Sequence, residues 1–436
     1  MLMRNVIVYS IRLAMVAGLL TAWVSIDPAA CAAADYRTPR AGEEYVTELW
    51  GEQAIAPARD RRSVTALNLG VAWIPDAPRD YEVLPFGAFF LWRNPEGGRG
   101  RLRAVVAGLY NEVRYQRRPD WLGKTEFVLT LDSLTVPTER QEFVEGVRID
   151  EEELEWHRIH LGFGFSWRAD LAPYHQDNAL EAALTYEPGI LLFSEGSDTA
   201  DGFRTPSDTY EGRVHLRLRA DALERNIMEL PHEGWSAGFD GWYGHRARWR
   251  DWGGGPVFGE QDGSEHRDWL AARFHALAAA GLPFGEPDRH RLIASLYGGI
   301  GKDLDRFSAF RLGGEPSGGE WEALARPAVA GAIFDEFFSR SYALANLEYR
   351  YELLFFCYLH LRGQLAWLER ARFSADGTAD WEMDALPALG AAVTCGAPWN
   401  SQVELAYNYN FGLLREEGGD SEFGGHSVTL AWSKEF

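Results

Sequence analysis

Arg213, His215, Arg217 and Arg219 occupy every second position, with Val214, Leu216 and Leu218 between them. Side chains alternate across a strand, so this stretch puts four basic groups on one face and aliphatic groups on the other. The preceding candidate strand carries Glu181 and Glu187 opposite Leu180, Ala182, Leu184 and Tyr186. Antiparallel neighbours set such side chains a few ångströms apart, and a cross-strand ladder of acid and base is expected. A second ladder is expected between Glu348, Arg350 and Glu352 on one strand and His360 and Arg362 on the next. Such charges can set a field that selects solutes in a pore, or they can fill and rigidify an interior as pairs. The second reading is favoured, because opposite charges in register cancel at long range.

Other chemistries are thinly supported. Ser166, His160 and Asp240 fall on polar faces, but no spacing pairs a nucleophile with its base, and no enzyme is expected. No ligand spacing for zinc or calcium stands out, so neither a metal nor another cofactor is expected. Gly253-Gly254-Gly255 lacks the Lys-Ser/Thr that follows a phosphate cradle. His245 and His266 sit in a Gly- and Trp-rich stretch, Gly234 to Gly263, that reads as solvated loop. The 436 residues carry a formal charge of −21, which excludes nucleic acid as a partner because phosphate binding needs a basic surface.

The elements that position these residues read as strands. Ile159, Leu161, Phe163, Phe165 and Trp167 alternate with His160, Gly162, Gly164, Ser166 and Arg168. Val403, Leu405, Tyr407, Tyr409 and Phe411 alternate with Gln402, Glu404, Ala406, Asn408 and Asn410. Such runs reach the ~9–11 residues that a tilted strand needs to cross a bilayer core. The last residues do the same: Val428, Leu430, Trp432 and the terminal Phe436 share a face, the pattern of a closing strand that also serves as an assembly signal. Roughly sixteen strands are expected, an even number when both termini face one side. They begin near Val64, Leu84, Arg101, Lys124, Glu155, Asn178, Thr209, Glu233, Arg267, Arg289, Arg340, Phe356, Pro387, Ser401 and His426, with one further strand near Gln141 or Leu324. Trp269 to Ala280, dense in Ala, is ambiguous between strand and helix. Seventeen Trp and seventeen Tyr suit aromatic girdles at two membrane interfaces.

Arg4 and Arg12 before the apolar run Leu13 to Ile26, with Ala32-Ala33-Ala34 as a cleavage site, read as an export signal over 1–34. Its removal leaves about −22, since Arg4, Arg12 and Asp27 go with it. Lipidation at Cys31 is disfavoured by Pro28, which stands where an aliphatic residue is usual. Residues 35–63 read as a periplasmic tail or lumenal strap, and 64–436 as the barrel. Cys357 and Cys395 lie in consecutive strands within reach of each other, but the favoured reading is two small apolar side chains facing lipid or a tight contact.

Phe310-Arg311-Leu312-Gly313-Gly314, following Tyr297-Gly298-Gly299-Ile300-Gly301, resembles the outer-membrane Omp85 superfamily, the surface-antigen barrel. In that family such a stretch opens a long loop that folds back into the lumen. Leu344-Ala345-Asn346-Leu347-Glu348-Tyr349-Arg350 is similar to the strand that follows this loop, and Gly363 and the aromatic carboxy-terminus also fit. The resemblance runs from about Leu292 to Phe436. It implies a transmembrane antiparallel barrel with a long lumenal loop in the carboxy-terminal third, Arg326 standing in for the loop-tip arginine. There are departures. Arg326 is followed by Pro327-Ala328 and not by glycine and an aromatic, and Leu361-Arg362-Gly363-Gln364 lacks the acid expected beside the glycine. Both partners of the family's loop-to-barrel ion pair therefore read as changed. The periplasmic POTRA repeats have no room in 35–63, so the chain looks like a member reduced to its barrel.

The resemblance implies transport across, or insertion into, a bacterial outer membrane. A passive porin-like channel for small solutes and a structural or surface-interaction barrel are the alternatives. Outer-membrane lipid and lipopolysaccharide are the expected surroundings, the barrel-assembly machinery the expected partner during biogenesis, and a separate periplasmic protein a candidate companion.

Overall fold

The computed structural model describes residues 38–436 apart from 50–51, 59–61, 79–80, 95–99, 109, 136–139, 172–177, 284–285, 287, 315–326, 355, 398 and 418–419. The export signal, Cys31, Arg326 and the further strand considered near Leu324 lie outside the described residues.

Strands with one oily and one polar face are satisfied only if each face meets its own solvent, and closing the sheet removes the two unpaired edges. Sixteen strands do this here. They are β1 (Ser63–Trp73), β2 (Val83–Arg93), β3 (Gly100–Val106), β4 (Tyr110–Arg117), β5 (Thr125–Thr135) and β6 (Val147–Asp170). Next come β7 (Ala179–Glu195), β8 (Thr209–Arg225), β9 (Pro231–Arg246), β10 (Asp268–Gly281) and β11 (His290–Lys302). The last five are β12 (Ser341–Leu354), β13 (Cys357–Phe373), β14 (Ala379–Ala397), β15 (Ser401–Glu417) and β16 (Asp420–Glu435). Neighbours in sequence are neighbours in space, and β16 closes on β1 from Val428↔Trp73 to Glu435↔Ala66.

The faces separate as the alternation demands. On β6, Leu161 is 60% exposed and Phe163 and Phe165 are more than half exposed, whereas His160 and Ser166 are buried. An all-round belt of exposed Leu, Phe and Val would be insupportable in water and is what a bilayer requires. Aromatics mark its borders. Trp235 and Tyr243 both face outward on β9, about 27 Å apart along a strand and about 20 Å in height at a ~40° tilt. Trp121 and Trp399, in tight turns, are 75% and 82% exposed, and Phe436 is similarly open.

The two rims differ. The rim that carries the carboxy-terminus, called the near rim, has turns such as 226–230, 355–356 and 398–400; the far rim carries connections 196–208, 247–267 and 303–340. Far-rim segments fold over the lumen. Arg140–Val144 continues β5 against the start of β6, and this hairpin crosses the mouth so that Val144 and Ile149 pack with Val257 and Ala371. Glu145 meets Arg372 of β13, halfway round the barrel, at 2.8 Å. Trp156, Phe203, Trp249, Trp252 and Phe307 form an aromatic core beneath this cap. At the near rim, residues 38–56 cross the opening. Thr38 N–H donates to Asp288 at 3.0 Å, its hydroxyl to Glu352 at 2.6 Å, and Arg40 pairs with Glu224. A hairpin, Tyr45–Leu49 with Glu52–Ala56, follows.

Several expectations need correcting. Trp269 to Ala280 lies in β10, because paired neighbours on both sides outweigh the helix preference of Ala. Between Arg101 and Lys124 there are two strands, β3 and β4, joined by a tight turn near Gly108, whose positive φ suits glycine. The further strand expected near Gln141 is present as the short strand Arg140–Val144, which pairs with the first residues of β6 beyond the reach of β5. Pro387 lies inside β14 and does not begin it. Half of the supposed loop Gly234 to Gly263 is strand β9, where His245 faces Asp268 at 2.8 Å. Cys357 and Cys395 are register partners, 4.1 Å apart at Cα, and form a disulfide at the near rim. Neighbouring strands bring such residues within bridging distance whenever they fall directly opposite.

Candidate functional site: the lumen

The first ladder is assembled by β7, β8 and β9. Glu187 accepts from Arg213 at 2.8 and 3.1 Å and from His215 Nδ1 at 2.9 Å. The other ring nitrogen of His215 lies 2.9 Å from Asp240, which also takes Arg219 at 2.7 Å and Arg273 at 3.0 Å. Arg217 stands opposite Asp240 in register. Glu181 is opposite Arg219 but bonds elsewhere: Arg114 and Gln116 of β4 reach it across two strands at 2.6 and 3.2 Å. Arg101 pairs with Glu126 alongside. The hub role of Asp240 and the contribution of β4 were not read from sequence. The polar spacing Arg114, Gln116 was the available signal. Ser166 and His160 lie six positions apart on β6, about 20 Å along the strand, with Asp240 on β9, so these three are not brought together.

The second ladder centres on one acid. Glu348 accepts from Arg350 at 2.7 Å, His360 at 3.0 Å and Arg362 at 3.1 Å, and Arg362 continues to Glu404 at 3.2 Å. Glu352 stands opposite Tyr358 in register and accepts from the Thr38 hydroxyl at 2.6 Å. In the second cluster Glu348 and Glu404 balance Arg350 and Arg362, while in the first the six arginines named outnumber the four acids. In both, each acid is held by at least one arginine, as in a fixed scaffold.

The described parts of the connection, 303–314 and 327–340, lie inside the wall. Phe310–Leu312 pairs with Phe337–Ser339, and Leu312, Val329, Ala332 and Phe337 pack against inward-facing Tyr297, Leu344, Ala366 and Leu386. Arg311 makes two 2.8 Å bonds to Glu142 on the far-rim hairpin and donates to Arg306 O at 2.7 Å. Gly313 is required by close approach: a Cβ there would lie 2.2 Å from Ile333 O and 2.4 Å from Asp335 N. Gly314 N–H bonds Ile333 O at 2.9 Å. Where the resemblance implied an ion pair, an amide serves. Gln364 accepts from Ala330 N–H at 2.9 Å and donates to Ala328 O at 2.8 Å, while Asn410 donates to Ala330 O at 2.8 Å. Arg415 and Glu336 add a buried pair, with one bond of 2.8 Å. At the far-rim end of β9, Arg246, fully buried, is shared by Glu211 at 2.8 Å and Asp305 at 2.6 Å.

Val428, Leu430 and Trp432 face outward from β16, opposite Trp73, Val71 and Leu69 of β1, and Phe436 ends at the near rim with Lys434 over its ring. One part of the inner face is not polar. Val64, Ala66, Ala88, Phe90, Trp92 and Val105 of β1–β3 form an apolar cluster facing inward. The unbroken apolar run Phe86 to Trp92, with Gly87 its one gap, was the sequence signal for it, since a strand apolar on both faces has no watery side.

No family model and no curated protein matches the chain. Among solved structures it is similar to BamA from Haemophilus ducreyi lacking POTRA domains 1–3, at 11% identity and a TM-score of 0.48, covering 89% of this chain and 75% of that one. It is also similar to CdiB from Acinetobacter baumannii, at 11% identity and TM-score 0.49 over 91% of this chain and 66% of that one. CdiB from Escherichia coli gives 12%, 0.49, 90% and 67%. These likenesses are of fold alone. In fold, the chain is a closed antiparallel barrel of sixteen strands among the described residues.

Proposed function

We propose that this protein sits in a bacterial outer membrane with its near rim toward the periplasm, and serves transport across, or insertion into, that membrane as a plugged barrel. Short turns and both ends of the barrel chain at the near rim support that orientation. The observation that carries the reading is the seating of 328–331 on Gln364, Asn410 and Arg415, under a cap locked by Arg311 and Glu142. A barrel built for passive diffusion would leave its lumen open. Here the path is blocked by a segment held through hydrogen bonds worth about 0.5–1.5 kcal/mol net each, through the packing of Val329, Ala332 and Phe337, and through the buried Arg415–Glu336 pair.

Planar-bilayer recordings test this. The wild-type barrel should be silent or flicker briefly. Gln364→Ala combined with Arg415→Ala should give long openings while the protein still shows the gel shift of a folded barrel. A steady large conductance in the wild type would favour the porin reading, and silence in the folded double variant would remove the loop as the moving part.

A further inference from the structure

Beneath the seated loop the lumen holds a cavity of about 990 Å³. Ala328 and Ala330 form its ceiling, and its mouth opens at the near rim between Ile55–Pro57 and Trp399–Asn400. Small inward residues, among them Ala66, Ala388, Gly390 and Ala431, leave the space. Its walls are of two kinds. One is hydrocarbon and comes in separate patches, Val64, Ala66 and Phe90 on β1–β2 and Leu277 and Ile293 on β10–β11. The other is polar: Asn346, Glu348, Arg362, Gln364, Glu404 and Asn408.

A path for ions or sugars gains nothing from the first wall, and water held against it is unfavourable in proportion to its area. A purely apolar guest gains nothing from the second. We propose that the cavity binds a single-chain amphiphile entering from the near rim, its acyl chain along the β1–β2 patch of Val64, Ala66 and Phe90 and its polar head beside Arg362 and Glu404. Ligand sites are apolar concavities of roughly 300–1,000 Å³ with a few placed polar groups, and this one lies at the upper end of that range. Arg362 and Glu404 are the fitting head site. Each side chain is 25% exposed, against 5% for Arg350 and 0% for His360, so their hydrogen bonds are open to exchange with a head group. The inference goes beyond the plugged-barrel reading and does not depend on whether the loop moves.

The probe is cis-parinaric acid, whose polyene fluoresces strongly only out of water, added to the full chain held in amphipol. Detergent is avoided because it is itself such an amphiphile. Saturable binding near one per barrel is expected, displaced by lauroyl-lysophosphatidylcholine and not by glycerophosphocholine, the same head without the chain. Phe90→Asp, which charges the apolar wall, and Ala388→Phe, which fills the space, should each weaken binding at least tenfold. Leu405→Ala on the lipid-facing side should leave it unchanged. Unsaturable uptake, displacement by the bare head group, or full affinity in the folded Ala388→Phe variant would each overturn the proposal. Channel silence or conductance bears on the loop and leaves this result untouched.

Discussion

The single side chains that decide this structure are buried ions and a glycine. Glu142 is 1% exposed as a side chain and carries Arg311. Removing one member of a buried pair strands the other, at about 3–5 kcal/mol. Glu142→Ala should therefore lower the denaturant midpoint of the barrel measurably, whereas an exposed pair such as Arg204–Glu260 should show almost nothing on truncation. Gly313→Ala forces a methyl against main-chain atoms that have no rotamer to change; about 1–3 kcal/mol of destabilisation is expected, together with channel openings as the loop base loosens. Asp288, in the near-rim connection 282–289, is held at about 2 against an ordinary 3.8. Burial raises it, but His232, Arg291 and the Thr38 N–H together outweigh burial. A depressed carboxyl stabilises the folded form above its unfolded value and loses that contribution as pH falls, so the tie to Thr38 should weaken between about pH 4 and 2. Pepsin cleavage within 38–56 should accelerate over that window, and Asp288→Asn should make cleavage rapid already at its upper end.

At the scale of elements, the strands that sequence revealed are those with one clean polar face. β6, β8 and β15 alternate cleanly over 159–168, 213–219 and 402–411, and their inward rows landed where a period of two puts them. β4 was missed because it is short and its turn from β3 is tight, and with it went the true partner of Glu181. The bond from Thr38 to Glu352 was not legible, because a segment crossing from 314 positions away is a long-range fact that no local pattern contains. The disulfide follows the same logic: two cysteines in adjacent strands become partners only at one register. It closes a loop between β13 and β14, and constraining such a loop contributes about 4 kcal/mol in the chain-entropy view. In the folded chain, neither Cys357 nor Cys395 should take up a thiol mass-tag before reduction, and Cys395→Ser should unfold at lower temperature. Free labelling of both without reductant would remove the bridge from this account.

For the whole molecule, closure and the two-solvent division were legible because they are repeated in almost every strand, and repetition survives local errors. What fills the lumen was less legible. The motif at Phe310 to Gly314 marked where a connection leaves β11, yet the residues that seat it, Gln364 on β13 and Asn410 and Arg415 on β15, are ordinary polar residues in isolation. The apolar inner patch of β1–β3 likewise has meaning only once the barrel is closed around it.

The account rests on which solvent meets which face. Single cysteines placed along β6 at 160 to 165, each spin-labelled in reconstituted bilayers, test that most directly. Labels at 161, 163 and 165 should be strongly accessible to oxygen and shielded from a water-soluble nickel chelate, and labels at 160, 162 and 164 should lack that high oxygen signal. Equal oxygen accessibility at successive positions, or a chelate signal strongest at 161, 163 and 165, would contradict a membrane-spanning barrel.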